Sequence, residues 1–148
     1  PEYKQENVSA LFTVLFNKLL QEIHLTAAKN HLAVYSAQLQ QLRMQMCSQP
    51  SRKFTARELA DSMNISVSYF QSIYKEYFGI SFKTDLTDMR LTYAQSLIAR
   101  TGMNIEQIAQ ACGYSDASFF YKLFKTKTGM TPHQYRDSLQ PIITPPNP

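Results

Sequence analysis

Leu59-Ala60-Asp61-Ser62-Met63-Asn64-Ile65-Ser66 and Ile108-Ala109-Gln110-Ala111-Cys112-Gly113-Tyr114-Ser115 are the two stretches that decide how this 148-residue chain folds. They align position by position at an offset of 49. Past them the offset becomes 50, and Phe70 meets Phe120, Ile73 meets Leu123, Tyr74 meets Phe124, Lys75 meets Lys125 and Gly79 meets Gly129. Two copies with one inserted residue are a duplicated unit rather than a solenoid, which needs three or more repeats.

Each copy spells a helix-turn-helix. A small residue, Ala60 or Ala109, stands where a second helix must cross closely. Four residues later comes Asn64 or Gly113, the residue types that best tolerate the positive φ of a tight turn. An apolar residue, Ile65 or Tyr114, then fills the angle between the helices. Ser66, Ser115 or Asp116 follows with an oxygen able to cap the second helix. A generic helical hairpin shows one such feature; here all four recur in the same order.

Working outward, the rest of the chain is also helical. Val8, Leu11, Phe12, Leu15, Phe16, Leu19, Leu20 and Ile23 repeat as on an amphipathic helix, predicting one over 7–25. Asn30 is positioned to cap a second helix. On that helix Leu32, Tyr35, Leu39, Leu42 and Met46 step by three and four, as on a coiled-coil seam. The seam fits a helix packed on its neighbour or on an upstream domain, or a homodimer contact through 8–46. Ser48-Gln49-Pro50-Ser51-Arg52 breaks the helix. Segments at 55–63, 67–78, 82–100, 105–112, 116–128 and 132–139 follow, with Thr55 and Glu58 spaced as a capping box. Gly79, Gly102 and Gly129 stand at segment ends, where a left-handed residue closes a helix. The Pro-rich tail, 140–148, cannot continue one. The expected fold is all-α, with Leu86, Leu91, Ala94, Leu97 and Ile98 making 82–100 a long linker helix between the units.

Charge and composition narrow the function. Net charge is +4, of which +3 lies from residue 51 onward (11 basic against 8 acidic). This is compatible with a polyanionic partner. Cys47 and Cys112 are too far apart in sequence for a paired-cysteine zinc site, so a reducing cytoplasm is expected. No apolar run approaches the ~18 residues of a membrane span. The chain opens Pro1-Glu2-Tyr3 without a methionine and is expected to be a piece of a longer protein. His24, His31 and His133 are scattered, and no nucleophile–base or carboxylate pair falls at helical spacing, so neither an enzyme nor a cofactor is expected.

A helix-turn-helix lays its second helix in the major groove, where residues of its first turns reach base edges. With Phe70, Ile73, Tyr74 and Tyr77 turned to the core, the first unit presents Val67, Ser68, Gln71, Ser72 and Lys75. With Phe120, Leu123 and Phe124 turned inward, the second presents Ala117, Ser118, Tyr121, Lys122 and Lys125. Gln71 suits adenine and Lys122 the acceptor edge of guanine. Lys75 and Lys125 lie further along and suit phosphates. Tyr121, an aromatic with no core duty on this face, fits a thymine methyl, a phosphate or a covered neighbour. Arg90, on the linker helix, is expected to make a structural pairing.

On those residues, 54–136 resembles the C-terminal DNA-binding domain of the AraC/XylS family of bacterial transcription regulators. The likeness runs through Leu59-Ala60, Ser68-Tyr69-Phe70, Tyr74-Lys75, Gly79-Ile80-Ser81 and Arg90-Leu91. It is densest from Ile105 through Gly113-Tyr114-Ser115-Asp116, Ser118-Phe119-Phe120, Phe124-Lys125, Gly129 and Thr131-Pro132 to Tyr135-Arg136. The resemblance implies a seven-helix, homeodomain-like double helix-turn-helix over 37–139, its first helix ending near Met46. Residues 1–36 then form a connector or dimerisation segment. It further implies double-stranded DNA as ligand, two adjacent major grooves per domain, and RNA polymerase as a protein partner. The implied base-facing set is Ser68, Gln71, Ser72, Ala117, Ser118, Tyr121 and Lys122, and the phosphate set Lys75, Lys125, Lys127 and Thr131. The family often places arginine where this chain has Ser72 and Lys122, so the second unit is expected to carry more of the affinity. The alternative is a protein-interaction module working through 8–46 with little DNA binding of its own. Salt separates the two, because phosphate contacts release counterions and an apolar contact does not.

Overall fold

The computed structural model describes residues 2–139, with the side chains of 11–26 and 31–139. Seven helices follow one another: α1 (Glu2–Ser48), α2 (Ala56–Ser62), α3 (Val67–Phe78), α4 (Phe82–Arg100), α5 (Ile105–Ala111), α6 (Ala117–Thr128) and α7 (Pro132–Leu139). No strand occurs among the described residues. The chain divides into two units, Pro1–Gln40 and Gln41–Pro148, the first being the upstream part of α1. The Pro-rich tail lies outside the described residues, as does the side chain of Val8.

The expected break before Asn30 does not occur: Asn30 sits inside α1. Residues 26–31 (Thr-Ala-Ala-Lys-Asn-His) contain neither proline nor glycine. A residue able to cap therefore has no break to cap, and alanine favours continuation. Thr26 instead turns its hydroxyl back to the Glu22 carbonyl at 2.8 Å, which a helix interior accommodates. α1 ends at Ser48, before Pro50, as the sequence indicates.

From α2 onward the boundaries follow the caps. Thr55, Ser66, Ser81, Asn104 and Asp116 each have extended backbone and accept an N–H of the first turn. A reciprocal capping box forms between Asn104 and Gln107. At Thr55 only half the box forms, because Glu58 turns to Arg52 at 2.7 Å. Gly79 and Gly129 close α3 and α6 at φ 73° and 80°. Gly102 does not adopt this conformation. Thr101 ends α4 in extended backbone and bonds its hydroxyl to the Leu97 carbonyl at 2.7 Å, leaving no left-handed position to fill.

α2 packs on α3, α5 on α6, and α4 contacts α3, α5 and α7. Around the first unit Phe70, Tyr74 and Phe82 meet ring to ring at 5.5–5.7 Å, among buried Phe54, Leu59, Ala60, Ile73 and Leu86. The second core gathers Leu91, Ala94, Ile98, Ile105, Ile108, Ala109, Cys112, Phe120 and Phe124. α4 thus gives its N-terminal half to one unit and its C-terminal half to the other. Burying about ten apolar side chains per unit, at roughly 1.5–3 kcal/mol each, is what holds the two in place.

Candidate nucleic-acid interface

Each turn forms by the same hydrogen bonds. The N–H of Ile65 donates to the Ala60 carbonyl at 3.0 Å, and that of Tyr114 to the Ala109 carbonyl at 2.9 Å. Asn64 and Gly113 take φ 55° and 83° at the equivalent positions. Ala60 and Ala109 are buried where the helices cross. The inserted residue is Ser115, since the second cap is Asp116, whose carboxylate accepts the N–H groups of Ser118 and Phe119 at 2.8 and 3.3 Å. In the first unit Ser66 is the cap and accepts one N–H, that of Tyr69, at 3.2 Å.

These turns fix which faces of α3 and α6 stay outside. Ser68, Gln71, Ser72 and Lys75 are exposed on α3, and Ser118, Lys122 and Lys125 on α6. Ala117 and Tyr121 are half-buried. Val67 is half-buried too, and the cation among the first unit's expected residues is Lys75.

Three candidates have partners of their own. The Tyr121 ring packs against the second core, and its hydroxyl lies 2.9 Å from Nε2 of His133. The Lys127 ammonium donates to the Asp88 carboxylate of α4 at 2.9 Å. Thr131 caps α7 reciprocally: its hydroxyl accepts the Gln134 N–H at 3.2 Å, and its own N–H donates to the Gln134 side chain at 2.9 Å.

Behind the faces lies a set of polar links that the sequence does not announce. Asp85 of α4 is buried, accepts the Tyr74 hydroxyl at 2.7 Å, and takes two bonds from Arg43 at 2.9 and 3.1 Å. The Arg43 guanidinium also stacks over Phe78, 4.7 Å from its centroid. Burial first, and then the bond to Asp85, push the Tyr74 hydroxyl's pKa well above its ordinary value. The bond to Asp85 likewise raises that of Arg43. The Arg43 guanidinium and the neutral Tyr74 phenol therefore persist together at physiological pH. Arg90 makes a structural pairing as expected, though with carbonyls rather than an acid: it donates to Pro50 at 3.0 Å and to Arg52 at 2.8 Å, 5.5 Å from the Tyr114 ring centroid. A capping pattern or apolar period reports neighbours in sequence; Arg43 and Asp85 are 42 positions apart.

Among the described residues no cluster of His, Cys, Asp or Glu is arranged to hold a metal, and no helix is long and apolar enough to cross a membrane.

A family of helix-turn-helix domains matches residues 59–138. The chain is 26% identical over 133 residues to the melibiose operon regulatory protein of Escherichia coli, covering 90% of this chain and 43% of that protein. Among solved structures it resembles the C-terminal domain of AraT, a response regulator from Geobacillus stearothermophilus (29% identity, TM-score 0.65, 74% of this chain and 92% of that one). The DNA-binding domain of AdpA, solved with a target DNA, shares the fold at 20% identity (TM-score 0.64, 68% of this chain and 90% of that one). The chain spans less than half the length of the curated relatives it matches. With the duplicated turn, the two caps and the motifs from Leu59 to Arg136 in place, the chain belongs to the AraC/XylS family of helix-turn-helix transcription regulators, and carries its DNA-binding domain.

Proposed function

We propose that α3 and α6 enter successive major grooves on one side of B-DNA, held by α4 at the one-turn spacing of about 34 Å that such a double reading requires. The carrying observation is the pair of equivalent, outward faces built by two copies of one turn. In this reading Ser68, Gln71, Ser72, Ala117, Ser118, Tyr121 and Lys122 face bases, while Lys75 and Lys125 meet phosphates. Lys127, ion-paired with Asp88, and Thr131, at the start of α7, complete the phosphate set. The protein acts in the cytoplasm without catalysing a reaction, with RNA polymerase as its partner at promoters. That last assignment is supported by a relative named for the operon it regulates.

The test is selection from a random duplex library, followed by titration of the winners across salt. Two enriched blocks about one helical turn apart, with a steep salt slope, are expected. A single block would silence the first unit. Enrichment of nothing, with no salt dependence, would replace DNA reading by the protein-interaction module.

We further infer self-association through α1, over a shorter stretch than 8–46. Leu39, Leu42 and Met46 are already buried and are not free to meet another chain. Leu11, Phe12, Leu15, Phe16, Leu19 and Ile23, by contrast, are each at least half exposed. At roughly 100 Å² apiece they offer about 600 Å², approaching the ~800 Å² per partner of a standard interface. A second copy of this chain brings the same stripe, so the contact is self-complementary. Light scattering is expected to give a dimer, and Phe16→Glu a monomer of unchanged helix content. A wild-type monomer at high concentration ends the idea.

A further inference from the structure

The strongest unassigned contact lies where the second reading helix meets the helix that follows it. Tyr121 occupies the position equivalent to Gln71, on the same face of α6 as Ser118, Lys122 and Lys125. Its ring leans on the second core, and its hydroxyl approaches His133 Nε2 at 2.9 Å with ring centroids 5.9 Å apart. His133 belongs to neither helix-turn-helix. It is the second residue of α7, whose start is fixed by the Thr131–Gln134 box and by buried Pro132. Tyr135 stacks edge-on against Phe124 of α6 at 5.6 Å. The imidazole is therefore held by an element packed firmly against α6.

We propose that His133 is a specificity-positioning residue: it decides whether Tyr121 offers DNA a hydrogen-bond donor or an acceptor. The inference rests on α6 being the base-facing helix of the second unit.

A phenol has one proton to donate and two lone pairs to accept with. When Nε2 carries no proton, it accepts the Tyr121 hydroxyl proton. The oxygen then has only acceptor capacity left, matching the amino group of adenine or cytosine in the major groove. When Nε2 carries a proton, it donates to the Tyr121 oxygen and frees the hydroxyl proton. That proton then suits guanine N7 or O6, thymine O4, or a phosphate. A neutral imidazole has one tautomer of each kind. A protonated imidazole has only the second, because both ring nitrogens then bear hydrogen. Acidification thus fixes Tyr121 as a donor.

The surroundings keep the phenol able to play both parts. Burial, and then Glu106 of α5, raise the Tyr121 pKa against the opposing pull of Arg136 on α7, so the hydroxyl keeps its proton at neutral pH. The other charges near the pair in sequence are Lys122 and Lys125 on α6 and Asp137 on α7, four residues after His133.

The experiment is library selection at about pH 5.5 and about pH 8, the span over which an imidazole changes charge. Wild type, His133→Ala, His133→Gln and Tyr121→Phe are compared, each checked for unchanged helix content. Wild type is expected to shift its preference at one position of the second block toward guanine or thymine at the lower pH, by several-fold. Tyr121→Phe and His133→Ala are expected to lose that shift while keeping their preferences at the other positions. His133→Gln, whose amide offers both donor and acceptor without titrating, is expected to keep a preference at that position that no longer depends on pH. A pH effect of equal size on all duplexes that survives Tyr121→Phe would reassign His133 to a charge near phosphate and overturn the proposal. So would a wild-type shift that His133→Ala leaves intact. Absence of any enriched sequence would overturn the base-facing reading of α6 and this inference with it; enrichment without a pH shift overturns this inference alone.

Discussion

Lys122 and Lys125 sit three positions apart on α6, both exposed, and the proposed DNA reading gives them different work. Lys122 lies in the first turns, where a side chain reaches base edges. Lys122→Ala is expected to cost about 1–3 kcal/mol against one base and to relax preference at that position. Equal loss on all sequences, measured by fluorescence anisotropy, would make it a phosphate ligand. Lys125 is a turn further on, so Lys125→Ala is expected to weaken binding to every duplex and reduce the salt slope by about one. A changed sequence preference would contradict that. At the same scale the two cysteines separate by burial. Cys112 lies in the second core and its thiol is pushed up to about 12 by desolvation, while Cys47 is exposed. Alkylation of the native protein is expected to label Cys47 and spare Cys112. The fold holds the Cys112 proton more tightly than the unfolded chain, whose value is near 9.0. Its contribution to stability is therefore complete below that pH and declines as pH rises above it. Denaturant midpoints that climb above pH 9 would contradict the sign.

The two turns look interchangeable in sequence, and at the level of elements they are not. Asn64 and Gly113 share positive φ, for which a side chain costs about 1–2 kcal/mol outside glycine and asparagine. At Gly113 there is a further demand. A Cβ there would stand 2.9 Å from both the Arg90 guanidinium and the Pro50 carbonyl, which are bonded to each other. Only the second turn carries this link from the segment after α1, through α4, to a helix-turn-helix. Gly113→Ala is accordingly expected to destabilise by about 2–3 kcal/mol, and Asn64→Ala by about 1. Equal losses in chemical denaturation would mean that Arg90 moves aside freely. The same comparison explains why α1 runs unbroken. A capping residue ends a helix only where the chain has a reason to leave it, and 26–31 supplies none.

Across the whole molecule, the end of α1 is joined to the first unit by one buried carboxylate. Asp85 has Tyr74 on one side and Arg43 on the other, and Arg43 is 43% exposed in its side chain. Removing the cation leaves a buried charge with a single neutral donor. Arg43→Ala is expected to cost about 3 kcal/mol, the low end of the range for a broken buried pair, because solvent reaches part of it. A loss under about 1 kcal/mol in urea unfolding would show that water replaces the guanidinium. How much was legible beforehand divides along physical lines. The duplicated turn, the caps, the apolar periods and the glycine stops of α3 and α6 act between residues a few positions apart. The sequence by itself therefore determined six of the seven helices, both units and most of the side chains they leave exposed. Which side chains are engaged was decided by contacts 12 to 42 positions apart in sequence. Lys127 on Asp88, Tyr121 on His133 and Arg43 on Asp85 join different helices, and only tertiary packing brings their charges and hydroxyls within hydrogen-bonding distance. The coiled-coil spacing of Leu39, Leu42 and Met46 shows the same limit: a period states that a face is apolar, and what buries it is settled by the fold.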